Sequence, residues 1–252
     1  MAALLALPFG FAIGILLGLV GGGGSILAVP VLIYVLGEPV KDATTASLLI
    51  VAASATVAAA GHHRRGCVAV RTAVVFAGTS SVGAVLGTVL NRGSRSSVIL
   101  LVLAVVMFGA AVVMLRGPRS PVPASRAAGK GKGFWLRLLP AGMAVGILTG
   151  YVGVGGGFLI VPVLTILLAL DLDRAIGTSL AIIALTSSVG LVAHLQSGHL
   201  NWSIALPFAA ASVGGAILGA RYSARTSSER LTQLFAALVI AVALVLGVTA
   251  AT

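Results

Sequence analysis

Apolar residues fall into ten runs along this chain, at about 4–20, 25–36, 43–61, 72–90 and 98–115, and again at 134–152, 158–170, 175–195, 203–220 and 231–248. The runs are continuous rather than alternating, which predicts helices and excludes a β-barrel. The second and seventh runs each follow a glycine cluster and hold only about twelve residues. That is roughly 18 Å of helix against a hydrocarbon core of about 30 Å, too little to cross a membrane unaided. Each glycine break with its flanking runs is therefore read as a broken or hairpin-like unit whose irregular backbone is shielded inside the protein.

The ten runs are five runs written twice. Gly18 to Leu32 reads GLVGGGGSILAVPVL and Gly150 to Leu164 reads GYVGVGGGFLIVPVL, at an offset of 132. Between Pro8 and Leu32 that offset makes sixteen of twenty-five positions identical without a gap. Shared apolar composition does not produce such agreement, and it continues through Ser47/Ser179, His62/His194, Phe76/Phe208, Ser80/Ser212 and Gly87/Gly219. Duplication with an interrupted hydrophobic segment at the same place in each copy is the sequence mark of a secondary transporter. The resulting division is a first transmembrane repeat over 1–115, a basic linker over 116–133 rich in Pro, Gly and Ser, and a second repeat over 134–252.

Composition agrees with that reading: the 252 residues are 59% apolar and 8% charged, with a mean hydropathy of +1.16. This is the membrane class, in which backbone amides must be paired within helices or against neighbouring protein. The net charge of +11 arises from residues in short connections, so it reports topology rather than a nucleic-acid surface. The opening MAALLALPFGFAIG has no basic stretch, so the first helix is expected to remain in the mature protein. Cys67 stands alone, without a disulfide partner or metal-ligand spacing.

Charge also orients the halves. The connection Gly61 to Arg71 carries Arg64, Arg65 and Arg71, whereas its repeat mate over 193–203 has no Lys or Arg. Placing the first connection in the cytoplasm puts there Arg116, Arg119, Arg126, Lys130, Lys132, Arg137, Arg221, Arg225 and Arg230 as well, and leaves Arg92 and Arg95 outside. The short connections with Lys41 and Arg174 do not enter that assignment. The fold class that follows is an all-α integral membrane protein made of two inverted-topology repeats, with both termini outside. Each repeat then crosses an odd number of times, either three spans and a hairpin or five spans.

Helices that begin inside a membrane expose unpaired N–H groups and a positive dipole end, a ready anion site. Two short helices begin here, at Gly22-Gly23-Gly24-Ser25 and at Val154-Gly155-Gly156-Gly157. The alternative is that these glycines only permit tight packing. Inverted symmetry and glycine backbones open to close approach instead favour Gly23, Gly24, Ser25, Gly155, Gly156 and Gly157 as a central donor set. Thr45, Ser47, Thr178 and Ser179 would complete the cage, although Thr44, Thr45 and Thr178 at helix starts are also placed as N-caps, and hydroxyls in bundles often bond to their own helix. Ser47 and Ser54 share a helical face, as do their mates Ser179 and Thr186.

The five acids, Glu38, Asp42, Asp171, Asp173 and Glu229, all fall at connections, an interior suited to an anionic cargo. His62 and His194, at equivalent helix ends, are expected to be interfacial anchors, with a proton relay as their second role. No phosphate-binding loop, dinucleotide fingerprint or clustered metal ligands occurs, so neither an enzyme nor a cofactor is expected.

The glycine cluster followed by FLIVPVL at Phe158 to Leu164 and AIGTSLAIIALTSSVGLVAHLQSGHLNWSIALPFAAASVGGAILGARY from Ala175 resembles the TauE/SafE family, the sulfite exporters. The likeness covers nearly the whole chain and has a weaker parallel at Ala46 to Gly66. It implies a multi-pass permease moving sulfite, sulfonates or related anions across the bacterial inner (cytoplasmic) membrane without an ATP-binding subunit. The connections are too short to hold a soluble substrate-capturing domain. The expected function is a secondary transporter working by alternating access around a midplane site formed by two opposed helix starts. An anion channel on the same scaffold and a non-transporting assembly partner are the rival readings. The expected partners are a small anion and the lipid bilayer, with homodimerisation left open and no nucleic acid.

Overall fold

The computed structural model describes residues 2–91, 132–152, 157–195 and 200–223, together with scattered positions over 105–112 and 225–240. Among these, no strand occurs. The first half contributes α1 (Ala2–Val20), α2 (Gly23–Pro30, continued by a π-helical turn Val31–Val35), α3 (Val40–Arg64) and α4 (Val70–Asn91). The second half contributes α5 (Lys132–Val152), α6 (Gly157–Ile166), α7 (Leu172–Leu195) and α8 (Trp202–Ser223). The fifth apolar run of each half, and the linker from Gly117 to Gly131, lie largely outside the described residues.

Local structure repeats at the sequence offset. Helix α8 covers the residues of α4 shifted by 132 at both ends. The corner after each short helix uses matching bonds: the Glu38 amide donates to the Leu32 carbonyl at 3.0 Å, and the Leu170 amide to the Leu164 carbonyl at 3.1 Å. Gly37 holds φ +72° there, and its mate Ala169 adopts the same left-handed region at φ +51°. The first glycine break is a true reversal. Gly21 takes φ +79° and donates its N–H to the Leu17 carbonyl at 2.9 Å, a left-handed helix end. Beyond it, a methyl group on Gly24 would stand 2.7 Å from the Ile13 carbonyl oxygen, so α2 doubles back along α1.

The halves exchange their outer helices. Gly10, Gly14 and Gly18 of α1 press on Phe208, Ser212 and Ala216 of α8, while Gly142, Gly146 and Gly150 of α5 press on Phe76, Ser80 and Ala84 of α4. Glycines on the partner helices reciprocate, Gly215 and Gly219 in one pair and Gly83 and Gly87 in the other. Backbone-to-backbone contact of this kind supplies helix association in a solvent as apolar as the side chains. Residue numbers rise together across both interfaces, so α1 runs parallel to α8 and α5 parallel to α4. Ser54 bonded to Ser212, and Gly61 beside Ala220, make α3 parallel to α8 as well. Across the centre, Gly177 lies against His62 and Gly190 against Leu48, which makes α3 and α7 antiparallel.

Among the described residues, five helices are long and apolar enough to cross a membrane, namely α3, α4, α5, α7 and α8. Within their apolar windows α3 and α7 are 61% and 50% buried against 33% for α4 and 28% for α5, so α3 and α7 form the core pair. Basic side chains gather where α3 and α8 end and α4 and α5 begin, and there the Arg71 guanidinium lies 4.8 Å above the Trp135 ring.

Candidate functional site: the meeting of two helix starts

Helix α2 begins at Gly23 with Gly22 as its N-cap, a residue with no side chain to cap the first turn. Helix α6 begins at Gly157. These two starts touch: a methyl group on Gly22 would overlap the Gly157 carbonyl, and one on Gly157 would lie 2.8 Å from Ser25 Oγ and 2.9 Å from Ile183 Cδ1. Gly21 faces Ser179 Oγ, 2.7 Å from where its Cβ would be. Each start contributes about half a positive charge, so their junction is a positive locus that contains no basic side chain. Ile183 stands one helical turn from Thr186, the repeat mate of Ser54, and Ser54 lies about midway between Leu48 and His62 on α3.

The junction therefore brings together Gly22, Ser25, Gly157 and Ser179, with Gly23 the first residue of α2. Gly24 instead packs against α1 within its own hairpin. Gly155 and Gly156 lie outside the described residues. Three of the serine hydroxyls donate to their own helices: Ser25 to the Gly22 carbonyl at 2.7 Å, Ser179 to Ile176 at 2.8 Å and Ser47 to Thr44 at 2.8 Å. Their oxygen lone pairs remain as acceptors, and a hydroxyl rotation converts each into a donor for a ligand. Ser47 is the repeat mate of Ser179, and Gly153, the mate of Gly21, lies outside the described residues.

The threonines depart from the sequence expectation of N-caps. Helix α3 starts at Val40 and α7 at Leu172, so Thr44, Thr45 and Thr178 stand a turn or more inside. Thr45 is buried. Thr178 serves another helix: its Oγ1 accepts the Ala69 N–H at 3.0 Å, fixing the connection that leads into α4. On the opposite face Asn201, the repeat mate of Ala69, donates to Glu38 Oε1 at 2.9 Å.

His62 is not an interfacial anchor. It is fully buried, because α7 brings Gly177 against its Cβ and the α1 backbone passes its ring at Gly18. The polar group nearest its ring is the Gly18 backbone, and no well-formed side-chain hydrogen bond reaches either ring nitrogen among the described residues. His194 occupies the last turn of α7, with its side chain outside the described residues. An imidazole is chemically able to pass a proton, and its place beside the Gly18 backbone puts it on the α1 side of the junction.

Two participants escape a reading of the sequence alone. Gly22 makes the closest approach between halves, although its repeat mate is Val154 and the repeat alone gives it no special weight. Ser212 receives the Ser54 proton at 2.8 Å, both hydroxyls fully buried. Its recurrence with Ser80 at the offset is the only signal that marks it.

The glycine-packed exchanged helices, the reversal before α2 and the helices long and apolar enough to span a bilayer define a polytopic helical membrane protein. Residues 6–246 match the family described as sulfite exporter TauE/SafE, and the chain belongs to that family. A protein of Xylella fastidiosa strain Temecula1, named probable membrane transporter protein, is 32% identical over 93% of this chain and 91% of its own length. Probable membrane transporter protein YdhB of Bacillus subtilis strain 168 is 23% identical over 84% of this chain and 87% of its own. No solved structure matches the chain.

Proposed function

We propose that this protein is a secondary permease for small anions, with sulfite, sulfonates and related sulfur or organic anions as the substrate class, in the bacterial cytoplasmic membrane. The observation that carries the proposal is the contact of Gly22 with Gly157 at the starts of α2 and α6. Two positive helix ends meeting among buried hydroxyls hold an oxyanion through backbone donors and release it when they separate, since no formal charge traps it. The family membership supports the substrate class.

The repeats are inverted in this reading. Its support is the helix direction: α1, α3 and α8 run one way while α4, α5 and α7 run the other, so every long helix opposes its repeat mate. The basic end is cytoplasmic by the positive-inside rule. Transport follows from rocking one repeat against the other around the shared junction, opening it to each side in turn. His62 carries the proton if flux is coupled to one.

The test is uptake and efflux in liposomes with sulfite, sulfate, sulfoacetate and thiosulfate, with and without a proton gradient. Wild-type protein is expected to concentrate one of these anions, and Gly22→Leu to stop flux while remaining in the membrane. Downhill flux alone with unitary currents would make the protein a channel. No flux of any anion would remove the proposal.

A further inference from the structure

The cytoplasm-facing ends of α3 and α8 enclose a cleft of about 890 Å³ that the anion junction does not use. Its walls are apolar, with Val57 on one side and Ile217 and Leu218 on the other. The last two are 37% exposed and continue the lipid-facing surface of α8, where Leu206 is also exposed. Its mouth is basic: Arg64 and Arg65 from the end of α3, Arg221 and Arg225 from the end of α8. Among the described residues no carboxylate lines it. Arg65 also faces Asp173 of α7, so the phosphate-binding role falls to Arg64, Arg221 and Arg225, the other cations among the cleft's described lining residues.

We propose that this cleft seats an anionic phospholipid, its phosphate held by Arg64, Arg221 and Arg225 and an acyl chain lying along Val57, Ile217 and Leu218. Toward the bilayer centre the two helices close on each other through the buried Ser54 to Ser212 hydrogen bond, ten residues and about 15 Å from Arg64. A free anion has a use for the charged mouth alone, whereas a lipid has a use for both the mouth and the apolar walls. Exposed Tyr222 at the rim fits the headgroup level, where amphipathic rings settle. The repeat does not reproduce the feature: the mates of Arg64, Arg65, Arg221 and Arg225 are Gln196, Ser197, Val89 and Gly93, so the site belongs to one side of the membrane. Basic pockets between spans on the cytoplasmic side recognise anionic headgroups by this combination.

The test is native mass spectrometry of the purified full chain with phosphatidylglycerol and phosphatidylcholine supplied in equal amounts. Wild-type protein should retain phosphatidylglycerol preferentially, and the triple variant Arg64→Gln, Arg221→Gln, Arg225→Gln should lose about a hundredfold of that preference. Arg137→Gln, a basic residue of α5 outside the cleft, should keep it. Equal retention of both lipids by wild type, or unchanged preference in the triple variant, overturns the proposal. If the variant does not fold, wild type decides alone: release of the bound lipid by millimolar inorganic phosphate would assign the arginines to a free anion instead. None of these readouts depends on transport.

Discussion

The two exchanged interfaces, α1 on α8 and α4 on α5, use the same glycines at the same offset yet differ in how hydroxyls beside them are spent. Next to the first, Ser54 of α3 donates its proton to Ser212 of α8. Next to the second, the mates turn inward, Thr186 to the Ile182 carbonyl at 3.0 Å and Ser80 to Ala77 at 3.1 Å. Backbone packing is therefore common to both halves, while among the described residues the hydroxyl-to-hydroxyl bond joins α3 to α8, and in the other half Thr178 of α7 instead accepts the Ala69 N–H just before α4. The proposed rocking of one half on the other calls for a firm side and a yielding side, and the Ser54 to Ser212 bond assigns α3 with α8 to the firm one in that proposal.

The largest effects should come from what the interfaces share. Gly14→Leu and Gly146→Leu each drive a side chain into the backbone of the partner helix and are expected to destabilise by about 3 kcal/mol or more. Thermal unfolding in detergent should show similar losses for the two, and a benign result at either would end the equivalence. Smaller effects should separate the sides. Ser54→Ala is expected to cost about 1 kcal/mol through the lost interhelical bond, and Ser80→Ala close to nothing. A double-mutant cycle gives coupling for Ser54 with Ser212 and none for Thr186 with Ser80; equal coupling would erase the distinction. The smallest effect lies at the corner after α6, where Ala169 holds a left-handed backbone that its mate Gly37 holds freely. Ala169→Gly should stabilise by about 0.5 kcal/mol, relief of strain outweighing added chain entropy, and a loss of stability there would show the residue to be unstrained.

Much of this architecture was legible in the residues. The apolar runs locate the eight described helices, and the offset of 132 anticipates α8 from α4 residue for residue. The glycine break before an undersized helix announces the hairpin of α1 and α2. Helix starts were less visible, because α3 and α7 begin in turns closed by backbone bonds, Ala43 to Pro39 and Ala175 to Asp171 at 2.8 Å each, with the threonines already inside. Burial of His62 depends on Gly18 and Gly177 arriving from other helices, information that a linear pattern does not contain. For the same reason Gly22 rather than Gly24 is the point of contact between halves: both are small, and only the direction of the hairpin decides which one faces outward.

The central claim is that an anion sits where α2 and α6 begin. Placing a thiol there by Ser25→Cys in a Cys67→Ala background, and timing its modification by N-ethylmaleimide, tests it most directly. Whichever anion gives the largest liposome flux should slow the reaction in proportion to its occupancy, and an uncharged analogue should not. A modification rate that stays constant up to saturating anion would mean that the junction of the two helix starts holds no substrate.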